Sequence, residues 1–222
     1  MIWVYFIDTT PLNDDSLYQA IYENTSVARR EKADKLRLRN DRNLCLGAGF
    51  LLDCGLHEHG LREAEQEYGT LGNGKPVFLD LPDLRFSLSH SGTIAMAALS
   101  ACGIGCDIEK VREFDMAVAK RFFAPGEYKT LLKQPTEEAR QDMFFRFWTL
   151  KESFLKATGQ GLALPMHDFE ISIEDDSISI IQMTDNREFF FRELNAYAGY
   201  KCSVCSEEEK PELQICYPEF RI

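Results

Sequence analysis

The chain has 222 residues, 45% apolar and 12% aromatic, with 36 acidic against 25 basic side chains and a net charge of −11. That apolar share excludes a disordered polymer. No run of about 18 apolar residues would form a membrane-spanning helix, and the acidic balance speaks against non-specific nucleic-acid binding. Seven cysteines, an odd count in so long a chain, do not read as a disulfide framework. The first residues lack a basic segment and meet Asp8 too early for a secretory leader. A reduced, cytoplasmic protein is the expectation.

In chain order, Ile2 to Ile7 reads as a strand stopped at Thr9-Thr10-Pro11. Asp14 and Asp15 precede a short helix to about Glu23. Apolar spacing from Val27 to Leu56 predicts one long helix or two, with Gly47 and Gly49 weakening an unbroken one. Between Arg29 and Arg42 seven basic residues stand against three acidic ones. In an acidic protein such a patch is either an anion site or a solvated helix face. Leu61 to Tyr68 suggests a further short helix. Turns at Gly69 and at Gly72-Asn73-Gly74-Lys75-Pro76 follow, then strands at 77–79, 84–90 and 93–99.

The next strand is Gly103-Ile104-Gly105-Cys106-Asp107-Ile108-Glu109. Its period-two alternation puts Asp107 and Glu109 on one face and Ile104, Cys106 and Ile108 on the other, towards a core. Two adjacent carboxylates repel unless a cation lies between them. Mg²⁺ is commonly held by one or two carboxylates with phosphate and water. A solvated edge strand is the plain alternative.

Beyond Val111 the pattern turns helical: 115–123, a helix opened by Pro125, and a long one capped by Thr136 and ended by Gly159 and Gly161. On this long helix Trp148, Glu152 and Lys156 are four apart and share a face. Glu152 would add a third carboxylate, Lys156 would meet a phosphate, and Lys151 would sit beside them; a surface Glu–Lys pair is the plain alternative. Short strands fill 169–173, 177–182, 188–194, 200–206 and 213–217. Two comparable rounds of helices and antiparallel strands make an α+β chain, without a sequence repeat.

Taken in order, Gly74-Lys75-Pro76, Phe86-Ser87-Leu88-Ser89-His90-Ser91, Gly103-x-Gly105-x-Asp107-Ile108-Glu109 and Phe147-Trp148-Thr149-x-Lys151-Glu152-Ser153-x-x-Lys156 resemble the 4′-phosphopantetheinyl transferases. The chain length and Arg121-Phe122-Phe123-Ala124-Pro125-Gly126-Glu127-Tyr128 are similar to the Sfp-type branch. The resemblance implies two similar α+β halves related by pseudo-twofold symmetry, an N-terminal half over 1–102 and a C-terminal half over 103–222, in a monomer with the site between them. It also implies transfer of the phosphopantetheine arm of coenzyme A to a serine of an acyl or peptidyl carrier protein.

By that resemblance Asp107, Glu109 and Glu152 hold Mg²⁺, and Glu152 is the candidate base. Lys156, with Lys151 nearby, stabilises the phosphate. Ser89 and His90 lie at the diphosphate, Lys75 and Pro76 by the adenine, and Arg29 and Lys32 at the 3′-phosphate. Glu127 is expected near the metal or the lysines. Relatives carry an arginine followed by Ser or Thr where this chain reads Asp41-Arg42-Asn43-Leu44-Cys45, so Arg42 is displaced or Cys45 replaces a hydroxyl. Met116, Val118 and Phe122 form either a carrier-docking surface or core, and Cys102, Cys106, Cys202 and Cys205 read as buried small hydrophobes. A non-catalytic coenzyme A or carrier-binding module, or a Mg²⁺-dependent phosphatase, are the alternatives.

Overall fold

The computed structural model describes residues 1–71, 74–174 and 177–220. It opens with β1 (Ile2–Asp8), α1 (Asp15–Glu23), α2 (Val27–Asp34), α3 (Arg39–His57), β2 (Tyr68–Leu71), β3 (Lys75–Phe78), β4 (Arg85–Ser91), β5 (Ile94–Ser100) and β6 (Ile104–Lys110). There follow α4 (Met116–Phe122), α5 (Pro125–Leu132), α6 (Glu137–Thr158), β7 (Glu170–Glu174), β8 (Ser177–Ile181), β9 (Phe190–Leu194), β10 (Tyr200–Ser206) and β11 (Leu213–Cys216).

Local chemistry sets the helix ends. Asp14 accepts the Leu17 amide at α1, Ser26 the Arg29 amide at α2 and Thr136 the Ala139 amide at α6. Gly159 closes α6 at φ 73°, a left-handed position that glycine takes without steric cost. The region read as one helix or two is two, broken between Asp34 and Arg39. The helix expected over 61–68 is not formed. Only a 3-10 turn at Glu63–Glu65 appears, because Glu63 is drawn inward and Tyr68 starts a strand. Gly72 and Asn73 of the expected turn lie outside the described residues.

Two main sheets build the body, in the orders β11-β1-β5-β4 and β6-β10-β9, with the hairpins β2-β3 and β7-β8 beside them. Alternation distributes the core among layers. Ile2, Val4 and Phe6 of β1 and Ile94, Met96 and Ala98 of β5 meet Ile104, Cys106 and Ile108 of β6 and Cys202 and Val204 of β10. The opposite face of β1 and β5 packs on Leu51, Leu52 and Leu56 of α3. On the far side of the second sheet, Phe147, Leu150, Phe154 and Leu155 of α6 close a third cluster with Phe169, Phe191 and Cys205. The result is α3, sheet, sheet, α6. Every residue of β5 is buried, since both faces of that strand are covered.

The α+β class holds. The two sheets differ, however: one has four strands with a parallel β1–β11 pair, the other three antiparallel strands. They give no support for a pseudo-twofold relation. β11, from the far end of the chain, completes the sheet of the first half, so a boundary at 102/103 does not separate the strands of the two sheets. Cys102 is exposed, a correction to its reading as a buried hydrophobe, whereas Cys106, Cys202 and Cys205 are buried. Met116, Val118 and Phe122 are half-buried against the aromatic cluster of α6.

Candidate active site

β4 and β6 are the edge strands of their sheets, and serine side chains join them. The Cys106, Ile108 and Lys110 amides donate to the hydroxyls of Ser87, Ser89 and Ser91 at 3.0, 3.3 and 3.1 Å. Serines two apart share one strand face, so three hydroxyls replace a run of ladder bonds. Two of these hydroxyls also donate to the neighbouring carboxylates, Ser89 to Asp107 Oδ1 at 2.7 Å and Ser91 to Glu109 Oε2 at 2.6 Å. The seam between the sheets therefore aims the acidic pair.

α6 lies across the same strand because Gly105 has no side chain. A Cβ at that position would overlap the Ser153 carbonyl oxygen and the Ala157 amide nitrogen. This close approach brings Lys156 Nζ to 2.6 Å from Asp107 Oδ1. Glu152, one turn earlier, joins the acidic group. Its pKa is pushed up to about 7, first by burial, then by the Asp107 charge, with Lys156 opposing and Glu109 adding. Glu109 is also raised, by burial above all. Burial is the largest influence on Lys156 and lowers its pKa, but the charge and hydrogen bond of Asp107, with Cys106 and Glu152, raise it overall, so it stays protonated.

Two adjoining cavities open here. The smaller, about 370 Å³, is lined by Arg29, Lys32, Cys45, Ser89, His90, Asp107, Glu109, Trp148, Glu152 and Lys156 among others. The larger, about 480 Å³, shares Arg29, Lys32, Leu88, Glu152 and Lys156 and runs on past Tyr68, Gly74, Lys75, Pro76 and Phe86. Trp148, Glu152 and Lys156 do share a face on the smaller one. Partial enclosure and the Lys156 and Lys32 charges hold His90 below its ordinary value. Lys75 spends its ammonium on the Ile104 carbonyl at 2.8 Å and the Ala157 carbonyl at 3.4 Å. It thus caps the end of α6, and burial lowers its pKa to about 8.

One expectation is corrected. Lys151, expected beside the phosphate, lines neither cavity: it is fully buried, pairing with Glu127 at 2.5 Å and donating to the Phe169 carbonyl at 2.8 Å. One residue along a helix turns the side chain by about 100°, away from the face of Glu152. Of the two places expected for Glu127, the metal or the lysines, it takes the second, pairing with Lys151, and its carboxylate also accepts the Ala124 and Ile171 amides. Among the described residues Asp107, Glu109 and Glu152 line one cavity without forming a ready three-residue metal cluster. Asp107 is tied to Lys156 and Glu109 to Ser91, as repelling carboxylates find donors instead of one another. Arg42 donates to the Leu36 carbonyl and lines neither cavity, while Cys45 lines the smaller one.

Comparison with known proteins shows what this geometry belongs to. A family model described as the 4′-phosphopantetheinyl transferase superfamily matches residues 103–205. A 4′-phosphopantetheinyl transferase of Bacillus subtilis is 36% identical over 184 residues, covering 82% of this chain and 81% of that one. The chain belongs to the 4′-phosphopantetheinyl transferase family. The transferase psf-1 of Bacillus pumilus is 30% identical over 96% of this chain and 95% of its own. Sfp of Bacillus subtilis strain 168 is 33% identical over 82% and 81%. A holo-acyl-carrier-protein synthase from Thermotoga maritima matches in part, at a TM-score of 0.42 and 19% identity over 49% of this chain and 64% of that one.

The transferase contains two features that the motif reading did not single out. One is the pairing of Ser87, Ser89 and Ser91 with β6, for which the signal was a three-serine alternation next to an acidic one. The other is Glu63, which sits in a stretch read only as a short helix.

Proposed function

We propose that this transferase moves the 4′-phosphopantetheine arm of coenzyme A onto a serine of an acyl or peptidyl carrier protein, leaving adenosine 3′,5′-bisphosphate, with Mg²⁺ as cofactor. One observation carries the reading: Asp107, Glu109, Glu152 and Lys156 line a cavity that Arg29, Lys32 and His90 line as well. Acidic groups for a cation and basic groups for a polyanion in one cavity suit phosphoryl transfer.

The residues fit the ion. Asp107 Oδ2 is buried with no hydrogen-bond partner, an acceptor left open. The neighbouring donors are hard oxygens, and Mg²⁺ needs only one or two carboxylates beside phosphate. Asp107, Glu109 and Glu152 would hold it. When bound, it supplies charge neutralisation at the phosphate oxygens.

In our reading, Arg29 and Lys32 bind the 3′-phosphate and His90 and Lys156 the diphosphate. Ser89 keeps Asp107 in place, and Pro76 and the backbone of the 74–76 turn border the adenine. The carrier serine oxygen bonds to phosphorus as the bond from phosphorus to the bridging oxygen breaks. Glu152, on the cavity face beside the acidic pair, accepts the serine proton. Lys156 balances charge on the departing bisphosphate.

The test is intact mass spectrometry of apo acyl and peptidyl carrier proteins incubated with coenzyme A, Mg²⁺ and the enzyme, beside Glu152→Gln. A gain of one phosphopantetheine arm, dependent on Mg²⁺ and lost in the variant, is expected. Carriers of unchanged mass would refute the reading.

A further inference from the structure

The wall of the larger cavity contains an unexpected anion, beside the Arg29 that both cavities share. Glu63 is only 2% exposed, yet it stands beside the basic patch, with its carboxylate 3.6 Å from Arg29 Nε. It is fully engaged. The Ser26 hydroxyl and amide donate to it at 2.8 and 3.0 Å, and the Tyr68 hydroxyl at 2.6 Å. Ser26 is the cap of α2, so Glu63 also ties down the helix that carries Arg29 and Lys32.

Arg29 is held from a second side. A Cβ on Gly49 of α3 would lie 3.0 Å from Arg29 Nε and 3.2 Å from its Cγ and Cδ. The glycine is therefore the floor of a trough along which the arginine stem runs. Arg29 is itself 9% exposed, and an arginine so buried needs a counter-charge. Lys32, one turn away, is exposed and has no ion pair among the described residues. The two cations differ in kind: one is fixed, the other free to follow a ligand.

We propose that Glu63 is a positioning residue for the transferase, fixing the Arg29 guanidinium in its trough so that the site discriminates in favour of a ligand bearing the 3′-phosphate. This rests on the reading of the cleft as a coenzyme A site. Glu63 acts through Arg29 and does not touch the ligand. Its loss leaves a buried cation unpaired, and Arg29 then leaves the trough for water, costing the phosphate a pre-oriented partner. Lys32, a flexible point charge, does not replace an oriented fork.

The test compares binding of coenzyme A and 3′-dephospho-coenzyme A by calorimetry, in the wild-type protein, Glu63→Gln, Arg29→Ala and the double variant. Glu63→Gln is expected to lower the ratio of the two affinities by about 10-fold, and Arg29→Ala by at least as much. In the Arg29→Ala background Glu63→Gln adds nothing to the ratio, as residues acting through one contact are coupled. Gly49→Ala, which changes no charge and crowds the arginine stem, lowers the same ratio. Thermal melts confirm that each variant is folded.

An unchanged or raised ratio in Glu63→Gln overturns the proposal, the latter making Glu63 merely a competing anion. So does an equal effect of Glu63→Gln with and without Arg29. A wild-type protein that binds coenzyme A but does not prefer it to the dephospho form would place the phosphate elsewhere. One that binds neither would refute the coenzyme A reading itself.

Discussion

Replacing Glu152 by glutamine should stabilise the metal-free protein while abolishing transfer. Burial and the Asp107 charge push the Glu152 pKa from 4.5 to about 7. The folded state thus binds this proton more tightly than the unfolded state. The stability linked to it is present in full below about pH 4.5 and is lost as pH rises through about 7. Above that, the ionised group costs the fold up to about 3 kcal/mol. Water entering the open cleft reduces this to about 1–2 kcal/mol. Glutamine has nearly the same shape and no charge. In EDTA at pH 8, Glu152→Gln should therefore be more stable by about 1–2 kcal/mol, or roughly 2–8 °C in Tm for a chain of this size. Denaturant titrations at pH 4.5 and pH 8 test this, and the difference should shrink to a few tenths of a kcal/mol at the lower pH. Added Mg²⁺ should close the gap at pH 8 by stabilising the wild type alone. A variant less stable than wild type at pH 8, or a gain of equal size at both pH values, would refute the reasoning.

Lys151→Met should cost about 3–5 kcal/mol in denaturant unfolding, because it strands the buried Glu127 carboxylate. Coenzyme A affinity of the folded fraction should not change; a stable variant that has lost affinity would return Lys151 to the site. Gly105→Ala should destabilise by more than about 4 kcal/mol or prevent soluble expression, since its methyl group collides with the α6 backbone. A melt within a few degrees of wild type would show that strand and helix can separate there. Ser91→Ala removes the donor to Glu109 and the acceptor for the Lys110 amide and should cost about 1–2 kcal/mol. Ser91→Thr, which restores the hydroxyl, should recover most of it.

What the sequence by itself determined was everything that depends on local period and on short motifs. Alternation over 103–109 sorted Ile104, Cys106 and Ile108 into the core and the carboxylates to the other side, and burial agrees. Thr136 and Gly159 marked both ends of α6, because caps act on backbone groups within a turn of themselves. The four-residue spacing of Trp148, Glu152 and Lys156 put them on one face, and the ordered motifs named the family before any coordinates.

Tertiary structure decided what depends on partners distant in the chain. Lys151 was one residue from a functional face, and only the placement of Glu127 and Phe169 against α6 assigned it to the core. Gly105 was part of a motif, but only α6 laid across it shows why no side chain fits there. β11 crosses back to β1 through pairing that no local pattern encodes. Glu63 carried no signal in the sequence. Its burial follows from Ser26, Tyr68 and Arg29 converging from three separate segments, and a buried charge is tolerated only where such partners assemble.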